Sequence, residues 1–190
     1  MRRRISVQVL FVIGFGLFVW SCQSEYSKTL NEELARGVRY DSLFYGISFG
    51  QPKGEFFDHC RKMNIEGLFQ AANRKNYVQC EIKGPNSPLE SIEMFFYPDF
   101  DEQDKIIGMD MEYRYKAWSP WNKDLHADKL IPVLKDSLLK WYGGNQFMEL
   151  PDEDESQTVW VKVDGNRRIA LKWKDEEVVQ VKLADLTATK

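Results

Sequence analysis

The period at which apolar residues recur switches from 3.6 to 2 partway along this chain, and then does so a second time. Phe56, Phe57, Cys60 and Met63 lie at i, i+1, i+4 and i+7, which marks one buried face of a helix opening at Gln51-Pro52-Lys53-Gly54. Residues 77–82 alternate instead, and residues 91–97 and 106–115 follow as further strand-like runs. In the last of these, Met109, Met111, Tyr113 and Tyr115 oppose Asp110, Glu112 and Arg114, as in a half-buried antiparallel strand. A second helical stripe, Leu130, Leu134, Leu138 and Trp141, stops at Gly143-Gly144. Pro132 must then sit in the first turn of that helix or kink it. Alternation resumes over residues 147–150, 159–163, 168–173 and 178–184, with Asp164-Gly165-Asn166 as a hairpin turn.

Set side by side, the two stretches share one order: helix, short strand, three-stranded meander. The pattern predicts an α+β fold of two tandem helix-then-antiparallel-meander halves, with the helices packed on one sheet face. The halves are residues 29–116 and 117–190, and a short helix near residues 30–36 opens the first.

The N-terminus is of another kind. Arg2, Arg3 and Arg4 precede an apolar run over residues 9–20 that is interrupted by two glycines and closed by Ser21-Cys22. Positive charge, then grease, then a small residue is the order an export leader needs. The run is shorter than the roughly 20 apolar residues that span a bilayer. It resembles a bacterial lipoprotein signal: Val19 and Ser21 fit the lipobox before Cys22, with Trp20 bulkier than that pattern's usual residue. The resemblance implies that residues 1–21 are removed and that Cys22 carries acyl groups, palmitate among them, with residues 22–28 as a polar tether. Several chains together anchor stably where one is marginal. The alternative is ordinary cleavage and a soluble secreted product. With the leader gone, 169 of the 190 residues remain, enough for one domain or two small halves sharing a core. Basic side chains fall from 26 to 23 against 29 acidic ones, a mixed surface without the concentrated basic face that nucleic acid requires.

Phe44-Tyr45-Gly46-Ile47, Phe96-Tyr97-Pro98, Trp118-Ser119-Pro120-Trp121-Asn122 and residues 163–169 resemble a family of uncharacterised lipoproteins from Bacteroidota. The helix-plus-meander order is also similar to modules of outer-membrane assembly lipoproteins and of tandem-repeat β-lactamase inhibitor proteins. These resemblances imply a place in the cell envelope, in the outer membrane or periplasm, and no functional residue is carried over from them.

Trp118 and Trp121, with Tyr113 and Tyr115 just upstream, form a candidate binding surface, because rigid aromatics bury large area at small entropic cost. Such a surface suits a protein partner or a glycan; the other outcome is a connector whose indoles seal the junction between halves. Cys60 and Cys80 are a candidate disulfide if their Cα atoms come within about 7 Å, and otherwise two buried thiols. The acidic runs at residues 99–104 and 152–155 lack the glycine and terminal glutamate of a calcium loop and suit solvated hairpin tips. Asn166-Arg167-Arg168 with Lys162, Lys172 and Lys174 sets positive charge along one hairpin, with Lys162 and Lys172 facing out if Val161, Val163, Leu171 and Trp173 face in. Neither His59 nor His126 accompanies a nucleophile motif, and only these two histidines are available to a metal. The expectation is therefore a lipid-anchored envelope binding or scaffolding protein without evident catalysis, metal or cofactor. A glycan-binding accessory lipoprotein and a hydrolase with an unrecognised carboxylate pair are the alternatives.

Overall fold

The computed structural model describes residues 25–73, 76–84, 87–152 and 157–188. Cys22 and the leader lie outside these residues. Helix α1 covers Glu25–Ala35, so the segment expected as a tether is already helical from Glu25. Helix α2 covers Lys53–Ile65 and α3 covers Ala127–Tyr142. The strands are β1 (Gln70–Ala71), β2 (Val78–Ile82), β3 (Ile92–Phe100), β4 (Ile106–Tyr115), β5 (Met148–Pro151), β6 (Thr158–Asp164), β7 (Arg167–Trp173) and β8 (Val179–Asp185). All eight belong to one antiparallel sheet ordered β1-β2-β3-β4-β8-β7-β6-β5. This is an α+β fold.

One sheet face and the helices α2 and α3 enclose the core. Leu130, Leu134 and Leu138 of α3 meet Met109, Met111, Ile169, Leu171, Val181 and Leu183 in one buried cluster that also takes in Phe56 and Met63 of α2. The stripe on α2 is narrower than its spacing suggested, since Phe57 is exposed. Pro132 lies in the second turn of α3, not the first, on its solvent side. The carbonyl of Asp128 there loses an intrahelical donor, and water can replace it.

The strand β3 runs through Pro98, where a loop was expected. Pairing with β2 ends at Val78↔Phe96, so from Pro98 onward β4 is the only paired strand among the described residues. A missing N–H costs nothing on an unpaired edge. The register then shifts between Asp99 and Phe100, and the tip beyond is closed by Asp101, whose carboxylate accepts the N–H groups of Gln103 and Lys105.

The helices do not all share one face. Tyr26 of α1 lines a groove with Asp110, Ala170, Gln180 and Lys182, all on the face turned away from α2 and α3. Val161 and Val163 are buried on that same far side, where α1 contacts β6.

Candidate functional site

Tyr113, Tyr115, Trp118 and Trp121 do not form one surface. The two tyrosines share strand parity with Met109 and Met111 and point into the core, 2% and 7% exposed. The Trp118 ring packs at the core rim beside His126, centroids 6.0 Å apart, with its Nε1 buried and unpartnered. Trp121 alone is solvent-facing, at 84%. The aromatic platform is thereby corrected to one exposed indole, because a side chain on alternate positions of β4 cannot join both the core stripe and the surface.

Cys60 and Cys80 are free thiols. Burial pushes them up to about 11 and about 12 respectively, so neither is a thiolate nucleophile near neutral pH. His59 packs against Phe69 and His126 against Trp118, and the Nε2 of each is buried without a hydrogen-bond partner. Among the described residues no group of three or more His, Cys, Asp or Glu is placed to hold a metal.

The face turned away from α2 and α3 carries a set of ion pairs. Arg114 reaches Glu93 at 2.8 Å and also Glu177, Lys174 reaches Glu112 at 2.6 Å, and Lys182 sits 3.2 Å from both Asp99 and Asp110. Where α1 overhangs this face, a groove of about 490 Å³ opens beneath Tyr26. Its cations are Arg168, Lys172 and Lys182; its anions are Asp110 and Asp152. Lys172 is held by Asp152 at 2.9 Å. Arg168 differs, for its Nε is buried with no hydrogen-bond partner. A guanidinium nitrogen left in that state is the kind of donor a ligand carboxylate or phosphate satisfies.

Lys162 is not part of this surface. It is 0% exposed and faces the α3 side, donating to the Gly143 carbonyl at 2.6 Å and to Asp164. The register Lys162↔Ile169 puts it on the core face, and Val161 and Val163 on the other. The expected outward lysine stripe is therefore shorter by one member, and the missing member anchors a buried polar hub.

That hub positions α1, and with it the groove. Glu33 is buried, accepting from the Gly165 N–H at 2.8 Å, from Asn145 Nδ2 at 2.9 Å and from Arg36 at 2.7 Å. Asn145 Nδ2 also donates to the Val163 carbonyl, and its backbone N–H to Asp164 Oδ1 at 2.7 Å. Asn166 Oδ1 accepts the Tyr40 N–H at 2.6 Å, and the Arg167 guanidinium stacks 4.4 Å from the Tyr142 ring. Burial raises the Glu33 carboxyl, but the Gly165, Asn145 and Arg36 donors outweigh it and hold the group below its ordinary value of 4.5. Asp185 is likewise raised by burial and carried below 3.8 by Thr187 and Arg39. A carboxylate depressed in the folded state stabilises it above the unfolded value and stops doing so as pH falls through the folded value. Hydrogen exchange at the Gly165 amide is therefore expected to lose protection progressively as pH falls below 4.5, ahead of the core strands. A Glu33→Gln variant should show weaker protection at neutral pH and little further acid loss; equal acid sensitivity in both proteins would contradict this account.

No family model, no curated protein and no solved structure matches this chain. No helix of the described residues is long and apolar enough to cross a membrane.

Proposed function

We propose that this protein is exported, acylated at Cys22 and held on the bacterial outer membrane, where it acts as a binding or scaffolding protein without catalysis of its own. Its partner is a protein of the envelope that presents an acidic segment to the groove beneath α1. The observation that carries this is Arg168, a cation with its Nε buried and unmatched, beside Lys172 and Lys182. The carboxylates Asp110 and Asp152 stand among these cations. A mixed pattern suits a protein surface better than anionic lipid, which favours clusters of basic residues alone. Tyr26 follows Cys22 by four residues, so the Tyr26 Cα at the groove stays within roughly 14 Å of the Cys22 Cα even if the chain between is fully extended.

The architecture is read here as two tandem halves, residues 29–116 and 117–190. In support, each four-strand meander follows one helix, and the strand order runs outward in sequence from the central β4–β8 pair to β1 on one side and β5 on the other.

Metabolic labelling with palmitate tests the anchor: label on the native chain and none on Cys22→Ala, with the variant leaving the membrane fraction, is the expected result. A photo-crosslinker at Lys172 tests the partner. Arg168→Glu is expected to cut the adduct tenfold or more without changing the melting temperature. Adducts only to self or to lipid, or an adduct insensitive to Arg168→Glu, would overturn the protein-partner reading even if the anchor stands.

A further inference from the structure

A second cavity lies on the other side of the sheet, between the end of α3, the turn at residues 43–47 and the core side of β2, β3 and β4. It measures about 270 Å³ and is lined by Phe44, Tyr45, Tyr113, Trp141 and Tyr142, with Ile82 and Met94 completing it. No charged side chain lines it.

We propose that this cavity is a binding site for a small uncharged molecule that carries an aromatic ring and an acceptor oxygen. Three independent observations lead there. Tyr113 is buried on the wall, yet its hydroxyl donates only to the Met111 thioether, at 3.5 Å. Sulfur is a weak acceptor, so a residue lining the cavity carries a strong donor whose capacity is largely unused. Tyr45 sits at the mouth, 45% exposed, with φ of +47°, followed by Gly46 at +82°. Residues that favour this conformation are glycine and asparagine; a bulky ring there carries strain, and such strain collects at functional positions. Trp141 continues the buried stripe of α3 but is 52% exposed, overhanging the same opening.

The walls also define what is excluded. Phe44 is braced edge-to-face on Phe96 at 5.0 Å and Tyr45 on Phe69 at 5.3 Å, while Arg167 stacks on the outer face of Tyr142 at 4.4 Å. These rings are therefore held in place before any ligand arrives, which lowers the ordering cost of binding. An ion entering would lose its hydration with no counter-charge to meet it. Burial raises the Tyr142 hydroxyl to about 12 and the Tyr113 hydroxyl well above its ordinary value, so both stay protonated and able to donate. An apolar cavity of roughly 150 Å³ already accepts benzene, so this one has room for a substituted ring.

The test titrates acetophenone, ethylbenzene and benzoate into the mature domain, following the amide shifts of Gly46 and Gly143 by NMR. Acetophenone is expected to bind, ethylbenzene about three- to tenfold more weakly for want of one hydrogen bond, and benzoate not at all. Tyr113→Phe should erase the preference for acetophenone while ethylbenzene binding persists, a result that loss of folding would not produce. Tyr45→Asn should abolish binding of both neutral probes and leave the melting temperature within a few degrees, because relief of backbone strain offsets the lost Phe69 contact. Unmoved amides at saturating acetophenone would overturn the proposal. So would benzoate binding as well as acetophenone does, or a preference that survives Tyr113→Phe.

Discussion

Replacing Asp164 with alanine is expected to remove about 3–5 kcal/mol of stability, the range for a buried ion left without its partner. Lys162 is fully enclosed on β6, and its ammonium has two acceptors, Asp164 and the Gly143 carbonyl. The alanine variant would leave that charge with a single neutral acceptor and would also strip the Asn145 N–H of its partner. For a domain of this size the melting temperature should fall by roughly 6–20 °C. Lys162→Met in the same background removes the stranded charge and should recover much of the loss. Thermal melts of the two single variants and the double then form a cycle whose coupling energy measures the pair. A fall of under about 1 kcal/mol for Asp164→Ala would mean that Lys162 escapes to water, and the hub would not be the device that fixes α1.

The same hub marks where the sequence could and could not be read. Strand β4 was legible because from Gly108 onward its even positions are glycine or charged and its odd positions, Met109 to Tyr115, are large and mostly apolar. That very parity places Tyr113 and Tyr115 in the core, so their assignment to a surface went against information already in the alternation. Strand β6 was harder. Valines at 159, 161 and 163 imitate a core stripe, and the lysine between them imitates a solvent position. The turn at Gly165-Asn166, however, pairs Asp164 with Arg167 and Lys162 with Ile169. With a two-residue turn, Ile169 and Leu171 cannot share a face with Val161 and Val163. The conflict was present in the sequence, and its resolution, a helix covering the far side of β6, was not. The aromatic cavity had no sequence signature at all, since its walls come from residues 44–45, 82, 94, 113 and 141–142, which only the folded chain brings together. Trp141 looked like a core residue because its spacing on α3 is right; the helix simply runs past the edge of what it covers.

Gly144→Ala carries the second large expected effect and attacks the hub from the backbone. Gly144 holds φ of +76°, and a Cβ built there would overlap Asp164 Oδ1. A carboxylate at the end of a free side chain would swing aside. Asp164 cannot do so without loss, since one oxygen holds Lys162 and the other accepts the Asn145 N–H. The left-handed conformation costs an alanine about 1–2 kcal/mol, and the overlap adds roughly 1–3 kcal/mol more as an overpacked site. Gly67→Ala separates the two contributions, because Gly67 has nearly the same φ, +75°, and nothing within 4 Å of the added carbon. Denaturant midpoints should therefore place Gly144→Ala well below Gly67→Ala. Equal losses would mean that the carboxylate gives way freely. In an Asp164→Ala background the overlap has no target, so adding Gly144→Ala should then cost only the backbone share, and the two substitutions should combine to less than their sum.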